Sequence, residues 1–442
     1  MKEQWSSKLG FILASAGAAI GLGALWRFPY LTGTNGGGAF FLLFIFFTVL
    51  IGMPLLIAEF VIGRGSKREA VSAYKKLSAT GLWKWIGHFG VVGCFLLLTF
   101  YAVIGGWVLT YTFLSLTGSI LESGRDYEVL FGSIVGSPLI SAVGLIVFIG
   151  LNVIVLSFGI KNGIERVNKY LMPLLFVFLL IIIVRGLTLD GAMEGVKFFL
   201  SPDFFSITTA GTLEALGQSF FSLAVGFSCM VTYSSYLGNE QSLPRSAGSI
   251  VILNLLVSLL AGLAVFPAVF AFNLSPDSGP NLLFIVLPTV FEQLPFGGLF
   301  LSLFLLLFFF ATLTSSFSLM EIMISAFTQN KKHKRNRVAL ISGILVVIAG
   351  IPAALSNNVL ADVLILDRTV FDLTDFFVSN IMLPLGCLFI ALFVGFKVKK
   401  SLLIEQYRME SGNLSGTANL WYLLMQTIVP LVIVIVFIFG LF

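Results

Sequence analysis

The stretch that decides the reading is AAIGLGALWRFPY, residues 18–30. It lies inside the first long apolar run of the chain, yet it places Gly21 and Gly23 in mid-run and Arg27 a turn later. Each glycine weakens a helix by about 1 kcal/mol relative to alanine. An arginine at bilayer depth costs about 2.5–3.5 kcal/mol unless it finds a partner or water. A plain membrane anchor would carry neither feature, so the run reads as a helix interrupted because something binds there.

Lipid is the solvent that the composition implies. Of the 442 residues, 58% are hydrophobic and 11% charged, and the mean hydropathy is +1.02. A water-soluble chain of this length could not hide so much apolar surface. Eleven runs long enough to cross a bilayer fall near 11–33, 38–63, 87–116, 138–157, 164–188, 212–236, 246–272, 297–327, 338–356, 372–396 and 420–441. Of the 26 Lys and Arg, all but Arg27, Arg125, Arg185, Lys197 and Arg368 lie in the loops of one side. Positive charge on alternate loops marks the cytoplasmic side. The expectation is a multi-pass protein of the cell membrane, with a cytoplasmic amino terminus and an extracellular carboxyl terminus. The basic run KKHKRNR (331–337) then reads as an anchor on anionic lipid rather than a nucleic-acid patch.

Other function classes find little support. Cys94, Cys229 and Cys387 stand apart, with no CxxC spacing. His88 and His333 fall near loops, away from any triad or metal cluster. HExxH and GxSxG are absent from the sequence, so the chain does not read as an enzyme.

A second interruption sits in the sixth run, SFFSLAVGFSCMVTYSSY (219–236), where Gly226 is flanked by Ser222 and Ser228. The first run opens one set of five and the sixth opens the next. Breaks at matching places in two halves point to a transporter of inverted repeats with its site at the bilayer midplane. The freed N–H groups around Gly21–Gly23 and the positive end of the outer half-helix suit a carboxylate. The freed carbonyls of Ala19 and Ile20 suit a hard cation such as Na⁺. In the eighth run, FFFATLTSSFSLMEIM (308–323), one helical turn brings the Ala311 carbonyl near the hydroxyls of Thr314 and Ser315, another oxygen set of the same kind. Residues 274–296 are apolar but broken by Pro276, Pro280, Pro288 and Pro295. They predict a short helical hairpin, about 276–295, placed as an outer lid.

GLGALWRFPY (21–30), NGGGAFF (35–41), the Gly52–Pro54 and Glu59 pattern, GQSFFSLAVGFSCMVTYSSY (217–236) and ATLTSS (311–316) together resemble the neurotransmitter:sodium symporter family. The resemblance runs in order along almost the whole chain. With eleven runs it resembles in particular the bacterial multi-hydrophobic amino-acid transporters. This is also the family in which paired helix breaks are best described. The resemblance implies an all-α, LeuT-like 5+5 inverted-repeat fold with unwound helices 1 and 6. Residues 1–188 would hold the first repeat, 189–396 the second, and 397–442 a cytoplasmic connection and an eleventh helix.

It also implies site residues. One sodium site would use the carbonyls of Gly17, Ile20 and Ala311 with the hydroxyls of Thr314 and Ser315. The other would use Ala19, Ser222, Asn254 and the substrate's own carboxylate, with Ala24 standing where the family commonly has Asn. The substrate carboxylate would meet the Leu22 and Gly23 amides and the Tyr101 hydroxyl. Its ammonium would meet carbonyls of Ala19, Phe221, Ser222 and Ala224, and its side chain Leu97, Tyr101, Phe221, Phe227 and Leu319. Monoamine members carry Asp where Gly21 stands here, so the substrate must bring its own acid. Because an apolar pocket separates similar side chains weakly, several hydrophobic or aromatic L-amino acids are expected.

By the same resemblance, Arg27 would pair with Asp375 or Asp372 as an outer gate above Phe221 and Tyr101. Trp5 and Tyr236 would form an inner gate, with Lys2 and Gln329 replacing its usual Arg–Asp pair. Gly163 and Pro173 match the motif whose unwinding accompanies opening toward the cytoplasm. Gln218, Ser222, Asn254 and Ser258 match chloride-dependent members, and no acid stands at Ser258. Against chloride, Phe44 occupies a position where those members have Tyr. Glu59 reads as a structural hydrogen-bond hub. The expectation is Na⁺-coupled symport of amino acids into the cell by alternating access. The alternatives are a proton-coupled amino-acid transporter using Glu59 and an ion channel.

Overall fold

The computed structural model describes residues 4–78, 80–121, 125–276, 283–328 and 334–439. Within them the long helices, two of them interrupted, form eleven apolar passages. In order these are α1 (Lys8–Ala19) and α2 (Gly23–Thr34), α3 (Gly38–Ser66), α4 (Gly81–Leu116), α5 (Pro138–Ser157) and α6 (Ile160–Leu187). Then follow α7 (Thr209–Ser222) and α8 (Cys229–Ser235). The series ends with α9 (Leu243–Ala271), α10 (Gly297–Thr328), α11 (Arg335–Ala354), α12 (Val370–Phe396) and α13 (Gly412–Phe439). Among the described residues, nine of these helices are each long and apolar enough to cross a bilayer, and the bent pair α1–α2 makes a tenth. The sixth passage is split into α7 and α8, each too short to cross alone.

The first break begins at Ile20, which leaves the helix with φ −90° and ψ 80°. Helix resumes at Gly23 in a wide turn, GALWR, and the axes of α1 and α2 differ by 50°. In the second break Ala224, Gly226 and Ser228 all take left-handed conformations, with φ of 51°, 101° and 62°. Only glycine fits at 226. A Cβ there would lie 2.8 Å from the Cys387 sulfur and 3.0 Å from the Leu383 carbonyl of α12.

A helix start away from water leaves backbone N–H groups that something must satisfy. For α8 that group is Glu59 of α3, fully buried. Its Oε1 accepts from the Gly226 N–H at 2.7 Å, and its Oε2 from Met230 and Val231 at 3.1 and 3.2 Å. The expected hub is therefore present, and its object is the second break. The broken pieces occupy the middle of the bundle: α1 packs on α6, α9 and α10, and α8 on α3, while α4 packs along α10.

Between the passages lie short helices that hydropathy does not reveal, at Ala70–Leu77, Tyr127–Val135, Ala192–Leu200 and Lys400–Arg408. Ala192–Leu200 sits in a stretch read as a polar loop, yet it buries Ala192, Gly195 and Phe199 against α9. Three apolar contacts in nine residues are too few to raise a hydropathy window. Of the expected lid hairpin, the described part contains one helix, Val286–Glu292, with Pro288 inside its first turn; Pro280 lies outside the described residues.

Glu59→Leu is expected to leave three buried donors without an acceptor, at a cost on the order of 3 kcal/mol or more. Glu59→Gln, which keeps one acceptor oxygen, should lie between. Thermal unfolding in detergent would report this, and equal melting temperatures for all three proteins would contradict the assignment.

Candidate functional site

Three helices grip the first break. The Tyr101 hydroxyl of α4 faces the Leu22 N–H at 3.4 Å and donates to the Thr312 carbonyl at 3.1 Å. From α10, Ser315 Oγ donates to the Ala18 carbonyl at 2.9 Å. Gly21 allows this approach, since a Cβ there would stand 2.4 Å from the Ser315 Cβ and 2.7 Å from the Tyr101 hydroxyl. Gln218 of α7 donates through Nε2 to the Gly23 carbonyl at 2.6 Å. The break is thus held on three sides by side chains instead of by its own helix.

Of the five groups expected to hold a cation between α1 and α10, three meet. Thr314 Oγ1 lies 3.1 Å from the Ala311 carbonyl and 3.4 Å from the Gly17 carbonyl. Ile20 caps α1 beside them. Ser315 differs from the expectation, because its hydroxyl is turned to Ala18.

A second polar cluster joins α7 to α9. Asn254 Nδ2 donates to Ser222 Oγ at 3.1 Å. Asn254 Oδ1, Gln218 Oε1 and Ser258 Oγ are buried there without hydrogen-bond partners. An unpaired buried oxygen is costly, and oxygen acceptors are what a hard cation requires. The amide nitrogens of Gln218 and Asn254 each give one N–H, to Gly23 and Ser222. This leaves their second N–H and the Ser258 hydroxyl as donors, so the cluster offers acceptors to a cation and donors to an anion. Fully buried Ala24 adds no side-chain oxygen, and Phe44 packs on Phe28 with ring centres 5.0 Å apart.

Beside the break is an apolar cavity of about 30 Å³, lined by Leu97, Tyr101, Phe221, Phe227 and Leu319, the residues named for the side-chain pocket, and also by Ala224, Val225, Cys229 and Leu383. That is room for about one water, so side chains close over the site. Cys94 and Cys229, distant in sequence, bring free thiols to 3.2 Å beside it.

On one side of this cavity the Arg27 guanidinium lies over the Phe221 ring, 4.8 Å from its centre. The expected direct Arg27–Asp375 pair is replaced by a relay. Arg27 Nη1 reaches Ser379 Oγ at 3.5 Å, and Ser379, one turn along α12 from Asp375, donates to that carboxylate at 2.7 Å. The competing acid, Asp372, is engaged by Thr369 at 2.7 Å. Two cavities of about 400 and 630 Å³ open beyond, lined among others by Arg27, Glu214, Asp372, Asp375 and Asn380.

The opposite side is latched. Trp5 is buried, donates through its indole N–H to the Tyr233 carbonyl at 2.8 Å, and meets the Tyr236 ring edge-on at 6.5 Å. The Tyr236 hydroxyl donates to Glu321 at 2.9 Å, and Glu321 takes a two-pronged bond from buried Arg335. Glu165 of α6 accepts from Ser6 and Ser7 at the start of α1 and pairs with Lys169 at 3.0 Å. Gly163 lies in the wide turn Ile160–Glu165, which runs straight into the helix containing Pro173. The motif expected to unwind is therefore wound in this structure. Lys2 and Gln329, expected to face each other here, lie outside the described residues.

The sequence profile of the sodium:neurotransmitter symporter family matches residues 2–123 and 135–442. The chain belongs to that family. It is 50% identical over 437 residues to an uncharacterized sodium-dependent transporter, YhdH, of Bacillus subtilis, covering 98% of this chain and 96% of that one. To an uncharacterized sodium-dependent transporter of Haemophilus influenzae it is 38% identical over 457 residues, covering 100% and 98%. The crystal structure of MhsT in complex with L-phenylalanine matches the fold with a TM-score of 0.92 at 39% identity, over 100% of both chains. The fold is LeuT-like, and the protein is a transporter of a sodium-dependent family, not an enzyme.

Reading the sequence missed the residues that hold the transporter's ends. Glu321 had a visible signal, an ionisable residue inside an apolar run, which in a membrane calls for a partner. Arg335 and Glu165 sit among loop charges, and nothing local separates them from solvated neighbours. Gly21→Ala should push Tyr101 or Ser315 off the break and weaken ligand binding at least tenfold. Gly150→Ala, where an added Cβ would meet open space, should bind as the parent does. Equilibrium binding of labelled amino acid to both purified variants would check this.

Proposed function

We propose that this transporter carries hydrophobic and aromatic L-amino acids into the cell together with Na⁺, by alternating access. The observation that carries the reading is the Leu22 N–H, freed by the first helix break and faced by Tyr101, at the edge of an apolar cavity. A carboxylate bound at Leu22, Gly23 and Tyr101 leaves its ammonium to the carbonyls of Ala19, Phe221, Ser222 and Ala224, and its apolar side chain to the cavity, which must widen from about 30 Å³ by movement of its lining side chains to admit it. Gly21 offers no acid of its own, so an amine without a carboxylate would lack a counter-charge. The phenylalanine bound to MhsT supports the same substrate class.

Two sodium ions fit the proposal. One sits with Ala19, Ser222, Asn254 and the substrate carboxylate, where Asn254 Oδ1 is the unpaired oxygen that it satisfies. The other sits with Gly17, Ile20, Ala311 and Thr314, and Ser315 joins by rotating away from Ala18. Because the carboxylate ligates the first ion, substrate and sodium each tighten the other. The donors left on Gln218, Asn254 and Ser258 would also suit a chloride ion beside the first sodium.

Access would alternate between the Arg27–Ser379–Asp375 relay, proposed as extracellular, and the Trp5–Tyr236 latch on the proposed cytoplasmic side. The two repeats, within 1–188 and 189–396, would move against each other. Unwinding of α6 between Gly163 and Pro173 would pull Glu165 from Ser6 and Ser7 and free the start of α1.

Proteoliposomes given labelled L-phenylalanine should accumulate it at least tenfold faster with an inward sodium gradient than with choline, and unlabelled leucine or tryptophan should compete. Asn254→Ala should raise the sodium concentration for half-maximal uptake severalfold. Uptake driven by a proton gradient without sodium would overturn the proposal in favour of a carrier using Glu59.

A further inference from the structure

One cavity lies away from the transport site. It is a groove of about 740 Å³ between the beginning of α4 and the end of α12. Its floor is apolar, made by Ile86, Phe89 and Val92 of α4 and Phe389 of α12. Its mouth is different. Lys397 lines it and stands 5.7 Å from the centre of the Trp83 ring, while Lys84, next in sequence to the lining residues Trp83 and Trp85, stands at its rim, 5.7 Å from the centre of the Trp85 ring. The His88 ring lies against Trp85 at 5.2 Å. Leu82 and Trp85 are 73% and 63% exposed beside these cations, and no acidic residue is among those lining the groove.

We propose that this groove binds an anionic phospholipid, one acyl chain lying between α4 and α12 and the phosphate held by Lys84 and Lys397. Three features favour that occupant. The groove opens where the apolar parts of two membrane helices give way to the basic loops, which is the depth of a headgroup. Tryptophans at that level are the usual interfacial anchors, and here each fixes a lysine over its face. A zwitterionic lipid would fill the floor equally well but would bring its own cation against the two lysines. A second copy of this chain docked face to face would set Lys84 and Lys397 against the same charges of its neighbour, with no acid in the lining to offset them. The groove also joins the helix that carries Tyr101 and Leu97 to the helix that carries Ser379 and Leu383, so its occupant touches both walls of the transport cavity from outside.

Native mass spectrometry of the full chain in detergent, titrated with phosphatidylglycerol or phosphatidylcholine of equal chain length, tests the proposal. The parent should retain phosphatidylglycerol preferentially. The double variant Lys84→Ala/Lys397→Ala should lose roughly tenfold of that preference. Val92→Trp, which fills the floor and keeps both lysines, should lower retention of phosphatidylglycerol itself. Circular dichroism and sodium-driven uptake of the variants establish that they are folded. Equal retention of the two lipids by the parent, unchanged preference in the double variant, or a dimer whose groove excludes lipid would each overturn it.

Discussion

Backbone amides and carbonyls away from water must find partners, and this constraint organises the transporter. An unbroken helix meets it alone. The first and sixth passages do not, and each break has recruited side chains from elsewhere. Glu59 accepts three N–H groups at the start of α8. Tyr101, Ser315 and Gln218 converge on the first break from three other helices. A helix interrupted at a cost of a few kcal/mol is retained only where the exposed groups are used. In the proposed function those groups bind a zwitterion and its cation.

The same constraint separates the parts that hold from the parts that move. Glu59 fixes the second break to α3 through three buried bonds. The ends of α1 are held differently. Its start hangs on Ser6, Ser7 and Trp5, bonded to Glu165 and to the Tyr233 carbonyl. At the other end of the first passage, Arg27 rests on an aromatic face, a 3.5 Å contact to Ser379 and the Tyr30 hydroxyl. Contacts of that kind are few and exchangeable, which is what alternate opening of two gates requires. The described state has its latch made on the Trp5 side and cavities open on the Arg27 side, with Phe221 closing the space between.

Much of this architecture is legible in the amino-acid sequence. Eleven apolar runs, the charge asymmetry of the loops and the glycines at 21, 23 and 226 suffice for a bundle with two broken members. The motif resemblance supplies most residues that line the cavity, because those residues sit in the breaks or one helical turn from them. The features that are not legible have physical reasons for it. Leu383 reaches the cavity only because Gly226 lets α12 approach. Ser379 displaces the direct Arg27–Asp375 pair by lying one turn along the same helix, a placement that depends on the rotation of α12. Glu321 and Arg335 are 14 residues apart in sequence, and their pairing depends on how α10 and α11 pack against each other. The short helix Ala192–Leu200 is stabilised by the face of α9 rather than by its own pattern. Sequence periodicity reports what each element would bury, and these features depend on which partner arrives.

The central claim is that substrate and sodium share ligands at one helix break. Its most direct test is a pair of equilibrium titrations on the purified transporter, L-phenylalanine at several fixed sodium concentrations and sodium at several fixed phenylalanine concentrations. Shared ligation predicts that each lowers the dissociation constant of the other by the same factor, roughly 5 to 150-fold for coupling of ordinary strength. Phenylalanine binding that is indifferent to sodium across that range would contradict the account.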